Sequence, residues 1–344
     1  MSKSYASSAA SSAQVDARAP TVAPAVEATP SNELLVGLMA QAGAQETGQA
    51  SMLDLASSQS GPAPDAGMFD IPEGKDQPTP LPSVRDKHQA TVQWADPAAK
   101  MTPFVKGASD KAAVDPNDVA QGSLGNCYYI ASMVAVARAN PDAIKQLIKS
   151  RGDGTYDVTL YVRDSAYGAP KAVTQVVDPR MPLGPSGTPL YAKVGDQKNG
   201  TTEIWSSLLE KRLAMQKGSY DKISGGNIAK DGFAFAGATE LLTGKRESYR
   251  ATAGMKEDDV LLEIAAALEG KKPVTADTKD MSATPDLAKE AEAHNVYGNH
   301  AYAPSKVDMD GRTLDLTNPW GSDHVTGLSV KDFLRFYRGI RIGA

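Results

Sequence analysis

Gln121-Gly122-Ser123-Leu124-Gly125-Asn126-Cys127-Tyr128-Tyr129-Ile130 contains the only cysteine of the chain. After Cys127 the residues Tyr-Tyr-Ile-Ala-Ser-Met-Val-Ala-Val-Ala-Arg-Ala run without Gly or Pro to a stop at Asn140-Pro141, which predicts a helix. Two glycines and an asparagine before it predict a turn. The sulfur is therefore expected on the first helical turn, exposed, where unpaired backbone N–H groups and the positive end of the dipole favour thiolate. The same N–H groups, with the side-chain amide of Gln121, can face a developing oxyanion. The competing reading is a buried, inert helix cysteine.

A thiol nucleophile needs a base, and the base needs a group that holds its ring. The four histidines are His88, His294, His300 and His324. His88 sits in a polar stretch, and His294 and His324 sit in loop-like contexts that read as surface. His300 opens a strand that continues to Val307, turns through Asp308-Met309-Asp310-Gly311 and returns from Arg312 to Thr317, ending at Asn318-Pro319-Trp320-Gly321. A three-residue loop at 309–311 places Asn318 opposite Tyr302 and diagonally across from His300 on one face. A two-residue Asp310-Gly311 turn shifts the register by one and puts the two on opposite faces. A bulge at Pro304, which has no N–H for a ladder, restores the productive parity. An ordinary hairpin with a polar end is the alternative.

These runs resemble a known family. QGSLGNC is similar to the active-site segment of calpains, GNHAY to their histidine segment, and LTNPWG to the segment bearing their asparagine. The stretch from Glu203 to Gly226 resembles the helix and glycine turn in the middle of the calpain core, and the order of matches extends from Asp115 to the C-terminus, in the manner of a bacterial-type calpain-domain protein. The resemblance implies an α+β, two-lobed papain-like/calpain protease core. It assigns Cys127 as nucleophile, His300 as general base and acid, Asn318 as the residue orienting its ring, and Gln121 as oxyanion donor. Asn126 and Tyr128 stand where calpain-like cores usually carry an acidic residue and a tryptophan, and Pro304 interrupts a strand that is usually continuous.

The implied activity is a cysteine endopeptidase acting on a protein or peptide substrate through a thioester. Acyl transfer or deamidation on the same residues, and a binding module with a decayed catalytic core, are the alternatives. No cofactor is required for the chemistry. Calcium enters as a regulator by resemblance only, and no metal ligand is assigned: Glu257-Asp258-Asp259 and Asp308-x-Asp310-Gly311 read as a solvated helix start and a turn.

Composition divides the chain further. Residues 1–100 are a low-complexity tail or linker, rich in Ala, Ser, Pro and Gly, expected to be mostly disordered apart from a short amphipathic segment at 32–41. Residues 115–245 are read as the helical lobe bearing Cys127 and 246–344 as the β-rich lobe bearing His300 and Asn318. Expected helices are 142–149, 203–216 and 257–269, and expected strands 156–163, 171–178 and 273–277. The 344 residues carry a net charge of −5 without Lys/Arg clusters, which argues against nucleic acid. No apolar run approaches the length of a membrane span, and one cysteine excludes an internal disulfide and thiolate zinc sites. The expectation is a monomer without a Sec signal, cytoplasmic or exported by another route as a secreted effector, since the Ser/Ala-rich leader resembles type III export signals; ordinary disorder is the alternative.

Overall fold

The computed structural model describes residues 80–85, 87, 92–165, 167–225 and 237–344. The segment at 32–41 and the tail through residue 79 lie outside them. The elements begin with strands β1 (Gln93–Ala95) and β2 (Met101–Thr102), followed by helix α1 (Cys127–Ala139) and helix α2 (Pro141–Leu147). Strands β3 (Ile148–Ser150), β4 (Tyr156–Val162), β5 (Lys171–Val177), β6 (Met181–Leu183), β7 (Gln197–Lys198) and β8 (Thr201–Glu203) precede helix α3 (Trp205–Lys217) and the short α4 (Ala238–Thr243). The second half comprises β9 (Glu247–Ala251), α5 (Glu257–Glu269), β10 (Val274–Thr278), α6 (Pro285–Glu292), β11 (Ala301–Asp308), β12 (Thr313–Thr317), β13 (Val325–Ser329), α7 (Val330–Phe336) and β14 (Tyr337–Gly343).

Two hydrophobic cores organise these elements. The first gathers α1, α3, the β3–β4–β5 sheet and residues as early as Val84. The second lies between α5, α7 and the antiparallel six-stranded sheet of order β13-β12-β11-β10-β14-β9. Strand β11 belongs to both, because alternate residues face opposite ways. Tyr302 enters the second core, whereas Ala303 packs into the first. Ala301 and Ala303 are fully buried, and their small side chains let the backbone of β11 approach α1.

The N-terminal boundary differs from the compositional reading. β1 pairs antiparallel with β6, Ser83 exchanges backbone hydrogen bonds with Gly218 and Tyr220, and Val84 is buried, so part of the 1–100 segment is built into the first core. Low average hydrophobicity conceals a few well-placed apolar residues. The helix expected from Glu203 begins at Trp205, because Glu203 ends the parallel pair β2–β8.

The hairpin resolves the register question. Near its turn the pairs are Lys306↔Asp315, Val307↔Leu314 and Asp308↔Thr313, the parity that would separate His300 from Asn318. The register then shifts between Pro304 and Lys306, and Ala303 pairs with Thr317 and Pro304 with Leu316, the productive parity. The bulge forms at the one residue that cannot donate to the ladder.

The docking of α1 on β11 makes a direct test. Ala303→Leu should overpack that contact and destabilise the protein by about 1–3 kcal/mol, measured by denaturant unfolding. The exposed Lys306→Leu on the same strand should change stability by less than about 0.5 kcal/mol. Equal effects of the two would contradict the double role of β11.

Candidate active site at the junction of the two cores

Cys127 is the first residue of α1, as the sequence pattern requires. Tyr129 and Ile130 both donate to Asn126 O, so the helical ladder starts there and the N–H groups of Cys127 and Tyr128 precede it. Asn126 is fully buried and its Nδ2 donates to Glu210 Oε1 at 2.8 Å. Glu210 Oε2 accepts from Ala192 N–H at 2.9 Å, and burial raises this carboxyl to about 7. The residue preceding the thiol is thus held to α3.

The loop from Gln121 to Gly125 is fixed on two sides. Ser123 N–H donates to Leu190 O, and Lys193 N–H to Ala120 O. A Cβ at Gly122 would lie 2.0 Å from Tyr191 O, so only glycine permits this backbone contact. On the other side, Gln121 N–H donates to Pro319 O at 2.8 Å, joining the first core's loop to the turn that follows β12. The Gln121 carboxamide donates through Nε2 to Leu124 O, which leaves its second N–H to point elsewhere. Gly125 is tied in turn to the segment after α3, with Gly225 N–H donating to Gly125 O at 2.6 Å. Tyr128 Oη donates to Ile223 O at 2.9 Å, so this tyrosine anchors the same segment.

His300 and Asn318 lie just beyond the paired ends of β11 and β12, and their side chains meet, with His300 Nε2 2.9 Å from Asn318 Oδ1. Trp320 N–H also reaches Asn318 Oδ1, at 3.1 Å. A backbone N–H can only donate, so the amide oxygen must face it. The imidazole therefore donates from Nε2, and Nδ1 is left with a lone pair when the ring is neutral. Trp320 lies 4.7 Å from the imidazole by ring centroids, and Tyr302 packs edge-on at 4.9 Å. This casing explains why burial pulls His300 down to about 4, with the Asn318 hydrogen bond opposing it.

Two supporting residues carry no sequence signal of their own. Thr278 is fully buried; its hydroxyl accepts from His300 N–H at 2.8 Å and lies 2.8 Å from Tyr297 O. His324, read as a surface residue, is exposed but accepts from Asn318 N–H through Nδ1 at 3.1 Å. Neither position is marked by periodicity or by a turn motif.

The state of the thiol corrects the expectation drawn from the helix. Cys127 is half-buried, not exposed, and burial pushes its thiol up to about 11. The N–H of Ala301 lowers it, as to a lesser degree do those of Tyr128 and Cys127 itself, while Asp277 raises it. The helix-terminal donors are present as the sequence implies, but the cover supplied by β11 outweighs them. The Ala301 N–H also places the sulfur one residue from His300.

A second polar cluster lies upstream. Carboxylate oxygens of Asp110, Asp118 and Asp196 come within 4.8 Å of one another, and Glu203 contacts Asp118. In each of three carboxylates one oxygen is held by the protein. Asp118 Oδ2 accepts from Asp115 N–H and from Trp205 Nε1, Glu203 Oε1 from Val105 N–H, and Asp110 Oδ2 from Gly107 N–H. Among the described residues, Asp118 Oδ1 and Glu203 Oε2 are buried without a hydrogen-bond partner. Burial and mutual repulsion raise the Asp118 and Glu203 carboxyls above the ordinary range. The acidic clusters considered from sequence are different groups: Glu257 and Asp258 are paired with Arg312, and Asp308 caps Gly311 N–H in its turn. The four carboxylates come from two distant segments, so no local motif announces them. Among the described residues no helix is long and apolar enough to cross a membrane.

Comparison with known proteins places the chain in a family. A family profile described as "Calpain family cysteine protease" matches residues 75–332. Similar proteins include Calpain-5 of Caenorhabditis elegans, 28% identical over 251 residues that cover 69% of this chain and 35% of the relative. Calpain-12 of Homo sapiens is 27% identical over 213 residues, 61% of this chain and 27% of the relative. The calpain-type cysteine protease DEK1 of Zea mays is 24% identical over 249 residues, 69% of this chain and 10% of the relative. The chain thus spans about a third or less of these relatives. With residues 75–332 matched in one continuous stretch, the chain belongs to the calpain family of cysteine proteases.

Proposed function

We propose that this protein is a cysteine endopeptidase in which Cys127, His300, Asn318 and Gln121 act together on a protein or peptide substrate. The observation that carries the reading is the hydrogen bond between His300 Nε2 and Asn318 Oδ1, with the amide oriented by Trp320 N–H. It leaves Nδ1 as the basic nitrogen of the residue next to Ala301, whose backbone N–H reaches the sulfur. In the reaction, Nδ1 takes the thiol proton as sulfur attacks the scissile carbonyl carbon. The developing oxyanion accepts from Cys127 N–H and the second Gln121 N–H. His300 then returns the proton to the departing amine, which leaves a thioester on Cys127. Water, deprotonated by Nδ1, attacks the thioester and releases the acid and the thiol. The substrate is an extended chain, and the protein acts as a monomer.

The buried resting pair has a defined protonation state. Burial pushes the thiol up to about 11 and the imidazole down to about 4, which favours the neutral form of both, and in the proposed reaction proton transfer accompanies attack. Cys127→Ala should abolish cleavage of a denatured protein, scored as new termini by mass spectrometry, while the melting transition persists. Transfer or deamidation products without new termini would sink the peptidase reading. Because the chain has one cysteine, alkylation by iodoacetamide reports Cys127 alone. Its rate should keep rising into the alkaline range, whereas a plateau reached below about pH 6 would show a preformed thiolate–imidazolium pair.

For the upstream carboxylates we propose a calcium ion as the resident group, held by Asp110, Asp118, Asp196 and Glu203. An all-oxygen donor set with two unpartnered buried oxygens suits a hard divalent cation. Bound there, it supplies positive charge that removes carboxylate repulsion. Its effect on the chemistry would run through the chain, since Asp118 leads by three residues to Gln121, whose N–H is docked on Pro319. Without metal, the raised carboxyls bind protons more tightly in the folded state, so their contribution to stability is lost as pH rises through the folded values. With calcium the slope should reverse, because deprotonation frees ligands. Thermal melts of the wild type from pH 5 to 8, with and without calcium, should show this crossing, and Glu203→Gln should abolish the calcium-dependent arm. Parallel pH profiles would remove the cluster from consideration as a calcium site.

A further inference from the structure

Helix α1 carries Cys127 at its first residue and Arg138 in its last turn. The Arg138 guanidinium leaves the first core and reaches the hairpin, where Nη1 donates to Pro304 O at 3.2 Å and Nη2 to Thr317 Oγ1 at 2.7 Å. One acceptor is on β11 and the other on β12. Pro304 stands at the register shift, and Thr317 immediately precedes Asn318.

The chemistry of the contact is unusual for a residue that serves cohesion alone. Burial lowers Arg138 to about 10, with the charge of Asp115 opposing it, and both hydrogen-bond acceptors are uncharged. An apolar side chain of similar length would fill the space without the desolvation cost of a cation. What it would not supply is a rigid planar fork that holds two strands at once. That fork bears on the weakest point of the hairpin. Turn-proximal pairs favour the parity that separates His300 from Asn318, and the bulge must stay between Pro304 and Lys306 for the two to meet. Within the bulge, Ser305 Oγ donates to Asp315 O at 3.1 Å, a bond made inside the hairpin. Arg138 adds side-chain hydrogen bonds to it from the helix of the nucleophile.

We propose that Arg138 is a positioning residue that fixes the β11–β12 register pairing His300 with Asn318 and ties that hairpin to the helix bearing Cys127. The proposal rests on the peptidase reading for its turnover consequence but not for its geometry. The test uses the full chain with Arg138→Met, Arg138→Lys, Thr317→Val and the Arg138→Met/Thr317→Val double variant. Arg138→Met should lower kcat roughly 10- to 100-fold with KM changed by less than about threefold, since misplacing a base affects the reaction more than binding. Thr317→Val should act in the same direction. Arg138→Lys should fail to restore kcat, because a single ammonium does not reproduce the fork, and the double variant should be no worse than Arg138→Met alone.

A second readout separates this proposal from the peptidase reading. The rate of Cys127 alkylation by iodoacetamide at neutral pH is compared between wild type and His300→Ala, and the difference is the share owed to the imidazole. That share should vanish in Arg138→Met even if no peptide is ever cleaved, an outcome that would sustain the positioning role while overturning the peptidase. Folded Arg138→Met with kcat within about twofold of wild type, or with the His300-dependent alkylation intact, would overturn the positioning role. If Arg138→Met does not fold, Thr317→Val, which removes one acceptor without changing shape, decides the question by the same two criteria.

Discussion

The hydrogen bond from His300 Nε2 to Asn318 Oδ1 requires two residues eighteen positions apart to share a face at the open end of a hairpin. A strand register permits only two outcomes, and a slip of one residue removes the contact altogether. The turn at 309–312 sets the wrong parity and the bulge at Pro304 corrects it. The missing N–H of proline is therefore not a tolerated irregularity. It is the local chemistry that ends one register and starts the other, and much else in the molecule is arranged around keeping it there.

The junction between the two cores follows from that constraint. Ala301 and Ala303 present a low surface to α1, Gln121 N–H reaches Pro319 O, and Arg138 reaches Pro304 and Thr317. Both ends of α1 and the loop before it are thereby referred to the same hairpin. The enclosure this produces has an electrostatic consequence. Burial at this junction pushes the Cys127 thiol up and the His300 imidazole down, which favours the neutral form of each. In the reading proposed above, activation lies in the events that change this cover, namely substrate binding and filling of the upstream carboxylate cluster.

Much of this architecture is legible in the sequence, for identifiable reasons. The α1 start is marked by Gly, Asn and an uninterrupted helical run, and α5 matches its expected range of 257–269 because its apolar residues recur at helical spacing. The hairpin is legible because parity is arithmetic and Pro304 limits where a bulge can fall. What was hidden depends on distant segments meeting. Thr278 acts from another strand, His324 from a later loop, and the carboxylates from two distant stretches, Asp110 with Asp118 and Asp196 with Glu203, that share no common motif. The thiol illustrates the same divide: its place at a helix start is local and readable, while its burial under β11 is tertiary. The first strands, β1 and β2, fail for a different reason, being too short to stand out from the small and polar residues around them.

Much of the proposed chemistry depends on the protonation of one ring. Nitrogen NMR of the imidazoles, in uniformly labelled protein with His300 assigned by comparison with a His300→Gln variant, reads that state directly, and with four histidines in the chain the assignment is tractable. The expected spectrum at neutral pH has His300 uncharged, with the proton on Nε2 and a bare Nδ1, and Asn318→Ala should scramble that preference. A proton on Nδ1, or a doubly protonated ring at neutral pH, would contradict the central claim that Asn318 sets the tautomer and that the Cys127–His300 pair rests uncharged.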